Sequence, residues 1–327
     1  MTHRPLLGIA AVLVMVVAAC AGAPGGASPA TSPAGPAAGC EVSPEPAQAD
    51  VTAWAGDQRP TVYPQIIDPG GTLSCGPNRL MFSFLDASSV PIASPDRSVQ
   101  VALYDLGRDA EAPAVTAEGR FIWAIEGQVG IYVADVDLPT AGLWGAEFTT
   151  AVADAAPEII RVPFDVRAAR TVIGVGDRAP ASDTPTLDDV GGDVARLSTD
   201  EDPVEAFYTT SIAEAVAAKE PFVVAFATPK FCATAQCGPT LDRLKPIAAA
   251  HPGVTFINVE PYQLQDVDGQ LQPVLTDGQL TPATATDEWR LPSEPWVFVV
   301  DRDGIVRGSF MLIFGDEELD AAVRAIE

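Results

Sequence analysis

From Asn78 to Arg167 the apolar residues alternate with polar ones instead of recurring at three- and four-residue spacing, and a period of two is what a strand needs to bury one face. Leu80, Phe82 and Phe84 share one face of a strand. Val99, Val101 and Leu103 share another, and Phe121, Trp123 and Ile125 do the same in RFIWAIE. Tyr132, Ala134, Val136 and Leu138 follow, then Trp144, Ala146 and Phe148, then Ile160, Val162, Phe164 and Val166. Turn-rich pieces such as DASSVPIASPD, EGQVG and PTAGLWG separate these runs. A helical protein is excluded for this stretch, and paired antiparallel strands are expected.

Six or seven short strands over roughly one hundred residues is the pattern of an all-β immunoglobulin-like sandwich, expected over residues 56–169. The stretch GIYVADVDLPTAGLWGAEF is similar to the closing strands of small exported modules of the FixH and YtkA type, through its Gly-x-Trp pattern. Some exported sandwiches hold copper, which needs several soft or imidazole ligands converging. The chain has two histidines, His3 near its start and His251 in the other half, and Met81 is the single Met of the sandwich. No cofactor or metal is expected. Trp123 and Trp144 read as core, as strand aromatics usually are, and the sandwich as a part that spaces, docks or contacts a partner.

The start of the chain reads as export. His3 and Arg4 precede an apolar run from Pro5 to Ala19, shorter than the ~20 residues of a membrane-spanning helix. Val17-Ala18-Ala19-Cys20 resembles the lipobox of bacterial lipoproteins, which implies cleavage after residue 19 and a lipid on Cys20; an ordinary signal peptide cut elsewhere is the alternative. Residues 20–55 are expected to be an Ala/Pro/Gly-rich tether, since AGAPGGASPATSPAGPAAG has nothing with which to build a core. The protein is then expected at the outer, extracytoplasmic face of the cell membrane. A net charge of -25, from 44 acidic and 19 basic residues, argues against nucleic acid as a partner, because that affinity rests on Lys and Arg displacing counterions.

Four further cysteines, Cys40, Cys75, Cys232 and Cys237, divide two and two between the halves, so local disulfides are expected, with Cys40 and Cys75 a structural candidate. After Arg170 the alternation ends. VIGVGDRAPASDTPTLDDVGG is an irregular lead-in, and Ser211 with Glu214 forms a capping-box pattern that starts a helix ending before Pro221. PFVVAFAT then suits a strand buried on both faces. LDRLKPIAAAH reads as a helix containing Pro246, VTFINVEPY as a strand, PWVFVVDRDGIVRGSF as a hairpin turning at Asp303-Gly304, and Asp316 to Glu318 as the opening of a last helix.

That order resembles the thioredoxin fold, over residues 170–327. GVGDRAPASDTPTL resembles the opening of TlpA-type proteins and peroxiredoxins, CGP repeats part of the Cys-Gly-Pro-Cys motif, and SEPWVFVVDRDGIV is similar to the cis-proline loop with its hairpin. The resemblance implies a cis bond before Pro295, beside the reactive sulfur, and a thiol–disulfide oxidoreductase acting on protein thiols or disulfides or with an exported redox partner. Cys232 and Cys237 depart from the family, being separated by four residues. Five positions at about 100° each would turn them ~140° apart on a helix, so a disulfide requires CATAQC to be a loop, with the helix starting at Pro239. Counting from VVAFAT makes Cys232 the attacking thiol, with Lys230 nearby to lower its pKa; matching CGP instead gives that role to Cys237. The other reading is a non-catalytic binding or scaffold lipoprotein in which this pair is a structural disulfide. Copper delivery of the Sco type would need His251, at the far pole of the helix, and a peroxidase an Arg beside Thr228 that the sequence does not offer. The long insertion QLQDVDGQLQPVLTDGQLTPATATDEW reads as a functional or disordered loop able to cover the cysteines and select a partner.

Overall fold

The computed structural model describes residues 40–153 and 155–327, so the export segment and Cys20 lie outside the described residues. The front half contains β1 (Glu41–Val42), α1 (Gln48–Ala55), β2 (Tyr63–Ile66), β3 (Gly76–Leu85), β4 (Arg97–Asp105) and β5 (Val115–Glu118), followed by β6 (Arg120–Ile125), β7 (Val129–Leu138), β8 (Thr140–Val152) and β9 (Glu158–Val166). One sheet runs β1-β8-β4-β5 with β9 also paired to β8, and the other β2-β3-β7-β6. The alternating residues meet between them: Leu80, Phe82 and Phe84 face Val99, Val101, Leu103, Trp144 and Phe148 in one buried cluster. Trp144 is fully buried. Trp123 is half-buried and packs edge-on against Phe121.

Within the span 20–55 expected to be a tether, the described residues 40–55 are part of the fold. Cys40 is disulfide-bonded to Cys75, β1 pairs in parallel with β8, and α1 buries Val51 and Trp54. Trp54 packs against Gly145, where a Cβ would come within 2.4 Å of the indole. Any larger residue at 145 would lift the helix. The Ala- and Pro-rich composition concealed this, because one aromatic and one glycine far apart in sequence carry the docking.

The back half contains α2 (Ile212–Ala218), β10 (Phe222–Phe226), α3 (Cys237–Ala250) and β11 (Thr255–Val259), then the short strands β12 (Leu264–Val267), β13 (Gln270–Pro273), β14 (Leu275–Thr276) and β15 (Gln279–Leu280), and finally α4 (Thr284–Glu288), β16 (Trp296–Val300), β17 (Val306–Met311) and α5 (Asp316–Arg324). A four-stranded sheet has the order β11-β10-β16-β17. β10 is parallel to β11 and antiparallel to β16. Ser211 caps α2 with the reciprocal Glu214 bond. The insertion is ordered, as two hairpins, β12 with β13 and β14 with β15. Their turns are Asp268-Gly269 and Asp277-Gly278, all with positive φ, which is the strongest short hairpin signal a sequence carries.

The halves are not separate domains joined by a linker; the described residues belong to one compact unit. Val223, Ala225, Val297 and Val299 face α3 and α5, with Leu241, Leu244, Leu319 and Val323. Phe222, Val224, Phe226, Trp296, Phe298 and Val300 face the other way, and part of their cover comes from the sandwich: Met81, Ile131 and Val133. The outward residues of β3 and β7 therefore complete the core of the second sheet. Arg79 on β3 donates to both carboxylate oxygens of Glu318 on α5, at 2.7 and 2.8 Å, and Arg243 of α3 donates to the carbonyl of Trp123.

At the far end of α3, buried His251 sits between two carboxylates, with Nε2 2.8 Å from Asp320 and Nδ1 2.8 Å from Glu327. The Asp320 hydrogen bond leads the causes that raise its pKa above the ordinary value. A raised histidine contributes stability fully below its unfolded value, near 6.5, and loses it as pH rises through the folded value. His251→Gln should therefore cost on the order of 1 kcal/mol at mildly acidic pH, and the gap should close toward alkaline pH. Urea melts of both proteins across that range check this; a gap that widens with pH would contradict it. Among the described residues, no helix is long and apolar enough to cross a membrane.

Candidate functional site

Cys232 and Cys237 meet at the C-terminal end of β10 and the N-terminus of α3. They form a disulfide, with Cα atoms 6.1 Å apart. The requirement set by the helical spacing is met because only Cys237 is helical; Cys232 to Gln236 is loop. The helix opens at Cys237, two residues before Pro239. A left-handed Ala235 (φ 59°) reverses the loop. It brings the Cys237 amide to Cys232 Sγ, to which it donates at 3.3 Å.

The two sulfurs have unlike surroundings. Cys237 is fully buried against Leu241 and Leu244. Cys232 is half-buried at the surface. An outside molecule therefore reaches Cys232 first, and the amide at the start of α3 places partial positive charge on it. The Lys230 ammonium stands over the neighbouring Phe231 ring, 5.7 Å from its centre. The polar atoms at Cys232 Sγ are the Cys237 amide and the Thr234 hydroxyl, 3.4 Å away.

The Glu294-Pro295 peptide bond is cis, and the residue before the proline grips the cysteine loop. Glu294 is buried; its Oε1 accepts from the Ala233 amide at 2.9 Å, and its Oε2 from the Tyr262 hydroxyl at 2.6 Å. Thr234 Oγ1 donates to the Glu294 carbonyl at 3.1 Å. Burial, with the Glu294 carboxylate beside it, holds the Tyr262 phenol above its ordinary pKa, so it remains a donor. Tyr262 opens the double-hairpin insertion, which makes Glu294 the junction of cysteine loop, cis-proline loop and insertion. Trp289 and Trp296 are both buried in the core.

Beneath the loop, Glu260 follows β11. It accepts from the Thr199 amide and hydroxyl at 2.6 and 2.7 Å, while Thr199 Oγ1 lies 3.3 Å from buried Thr228 at the end of β10. Burial pushes the Glu260 carboxyl up to about 7. Sequence reasoning passed over Glu260 and Glu294's side chain, since their partners lie tens of residues away. Glu294's adjacency to Pro295 was the one available signal. His251 is engaged by Asp320 and Glu327, and among the described residues no cluster of His, Cys, Asp or Glu is placed to hold a metal ion.

No family model matches the chain, and no curated protein does. Among solved structures it is similar to a DUF4426 family protein from Pseudomonas aeruginosa PAO1, at 11% identity, covering 33% of this chain and 91% of that one with a TM-score of 0.24. It is also similar to the Lin-41 filamin domain, at 12% identity over 32% of this chain and 93% of that one, with a TM-score of 0.19. A third likeness is to MtrC from Shewanella baltica OS185, at 10% identity over 38% of this chain and 24% of that one, with a TM-score of 0.23.

Proposed function

We propose that the chain is an extracytoplasmic thiol–disulfide oxidoreductase, held at the membrane by lipid on Cys20, in which an immunoglobulin-like sandwich carries a thioredoxin-like redox half. The observation that carries this reading is the asymmetry of the pair: a reachable Cys232 and a buried Cys237 at a helix N-terminus, with the loop between them strapped to the residue before cis Pro295.

In the dithiol form, the Cys232 thiolate attacks one sulfur of a substrate disulfide. That S–S bond breaks, a bond from Cys232 to the substrate forms, and the departing sulfur leaves with the electron pair and takes a proton from water. Cys237 then loses its proton and attacks the Cys232 sulfur, closing the internal disulfide and expelling the second substrate thiol. Two electrons pass to the substrate, and an exported dithiol donor returns them.

Full-length protein equilibrated in glutathione buffers and then alkylated tests the reading. The pair should reduce while the protein stays folded, Cys232 should alkylate before Cys237, and the midpoint should fall between about -120 and -270 mV, the span of known oxidoreductases. The buried state of Cys237 favours one second reading, a binding lipoprotein stapled by this disulfide. A pair that reduces only after unfolding would establish that reading instead.

A further inference from the structure

Between the cysteines stands one hydroxyl, Thr234, and its single proton has two acceptors in reach. Thr234 Oγ1 is 3.1 Å from the Glu294 carbonyl oxygen and 3.4 Å from Cys232 Sγ. The Gln236 amide, 3.4 Å away, donates to the same oxygen and occupies a lone pair, leaving the proton to be given elsewhere. While the disulfide is closed, Cys232 Sγ is uncharged and a poor acceptor, so the carbonyl holds the proton. Reduction and ionisation put a full negative charge on that sulfur, and a hydrogen bond to an ionised acceptor is roughly twice as strong as a neutral one.

We propose that Thr234 is a catalytic residue of the cysteine pair: its hydroxyl proton turns from the Glu294 carbonyl to Cys232 Sγ on reduction and, with the Cys237 amide, holds the thiolate. This rests on the oxidoreductase reading. The turn needs only rotation about one C–O bond, with no proton lost or gained by Thr234. The loop need not move, because the Glu294 carboxylate grips the Ala233 amide and the Tyr262 hydroxyl independently of Thr234. Valine in its place keeps the shape and removes the donor, whereas serine keeps the donor. Thr234 is exposed, so neither change disturbs the core.

The test compares full-length wild type, Thr234→Val and Thr234→Ser, each reduced and alkylated with iodoacetamide across pH, and each equilibrated with glutathione. Loss of one hydrogen bond to a charged sulfur should raise the Cys232 thiol pKa in Thr234→Val by about one to two units. Its equilibrium should move at least about tenfold toward the disulfide, because the reduced form has lost its stabiliser. Thr234→Ser should stay near wild type in both. If Thr234→Val matches wild type while the wild-type pair cycles normally, or if serine behaves as valine does, the role of Thr234 is wrong and the oxidoreductase reading stands. If the wild-type pair cannot be reduced in the folded protein, both fall together.

Discussion

Met81→Asp is expected to unfold the sandwich and the back half in a single transition, with a loss of more than about 4 kcal/mol. Met81 is 1% exposed. It stands on the face of β3 opposite Leu80 and Phe82, in the cluster formed by Phe222, Val224, Trp289, Trp296 and Phe298. A carboxylate there has no partner, and it also removes a side chain worth roughly 1.5–3 kcal/mol of burial. Met81→Leu keeps volume and polarity and should cost less than about 1.5 kcal/mol. Urea melts followed by far-UV circular dichroism and by tryptophan fluorescence make the comparison. Coincident transitions that shift together are expected, since buried Trp144 reports on the sandwich and Trp289 and Trp296 on the back half. A back half that keeps its transition while the sandwich melts alone would mean the shared core contributes little.

The same residue shows where sequence reading succeeds and where it stops. Period-two alternation identified the inner faces of β3 and β7, because Leu80, Phe82, Tyr132 and Ala134 recur at that spacing. Their outer faces carry Met81, Ile131 and Val133, so both strands are nearly continuous apolar runs through their middles, the mark of a strand covered on both sides. That mark was legible, but nothing local says that the second cover is the other half of the same chain. Capping at Ser211 and the hairpin at Asp303-Gly304 were readable because each is closed by residues within a few positions. The two Asp-Gly turns of the insertion are equally local, and they outweigh the inference from its length. At the site, the cysteines and Pro295 were visible as residue types. The strap was not, because Ala233, Tyr262 and Glu294 are joined only by folding, 61 and 32 positions apart.

Acid should uncouple the halves through Glu318. Burial alone would push its carboxyl up, but Arg79's paired hydrogen bonds and charge outweigh burial and hold it below the usual range. Both side chains are largely buried, at 12% and 13% exposure. A carboxylate with a lowered folded pKa contributes stability that is present above its unfolded value, near 4.3, and is lost as pH falls through the folded value. Arg79→Met keeps an apolar stem but leaves Glu318 with the Gly315 amide at 3.2 Å and, as a cation, Arg120, 3.8 Å away and half exposed. At neutral pH this should cost about 2–4 kcal/mol, because a mostly buried charge loses its partner. As pH falls through its lowered folded value the wild type protonates Glu318 and surrenders the same contribution, so the two proteins should converge. Urea midpoints measured from neutral pH down into acid decide it. A cost that stays constant down to acid would assign the role of Arg79 to its packing over Phe310, whose ring centre lies 5.6 Å from the guanidinium, and not to charge. Convergence would instead make the contact between β3 and α5 a pH-sensitive seam between the sandwich and the half that carries the cysteines.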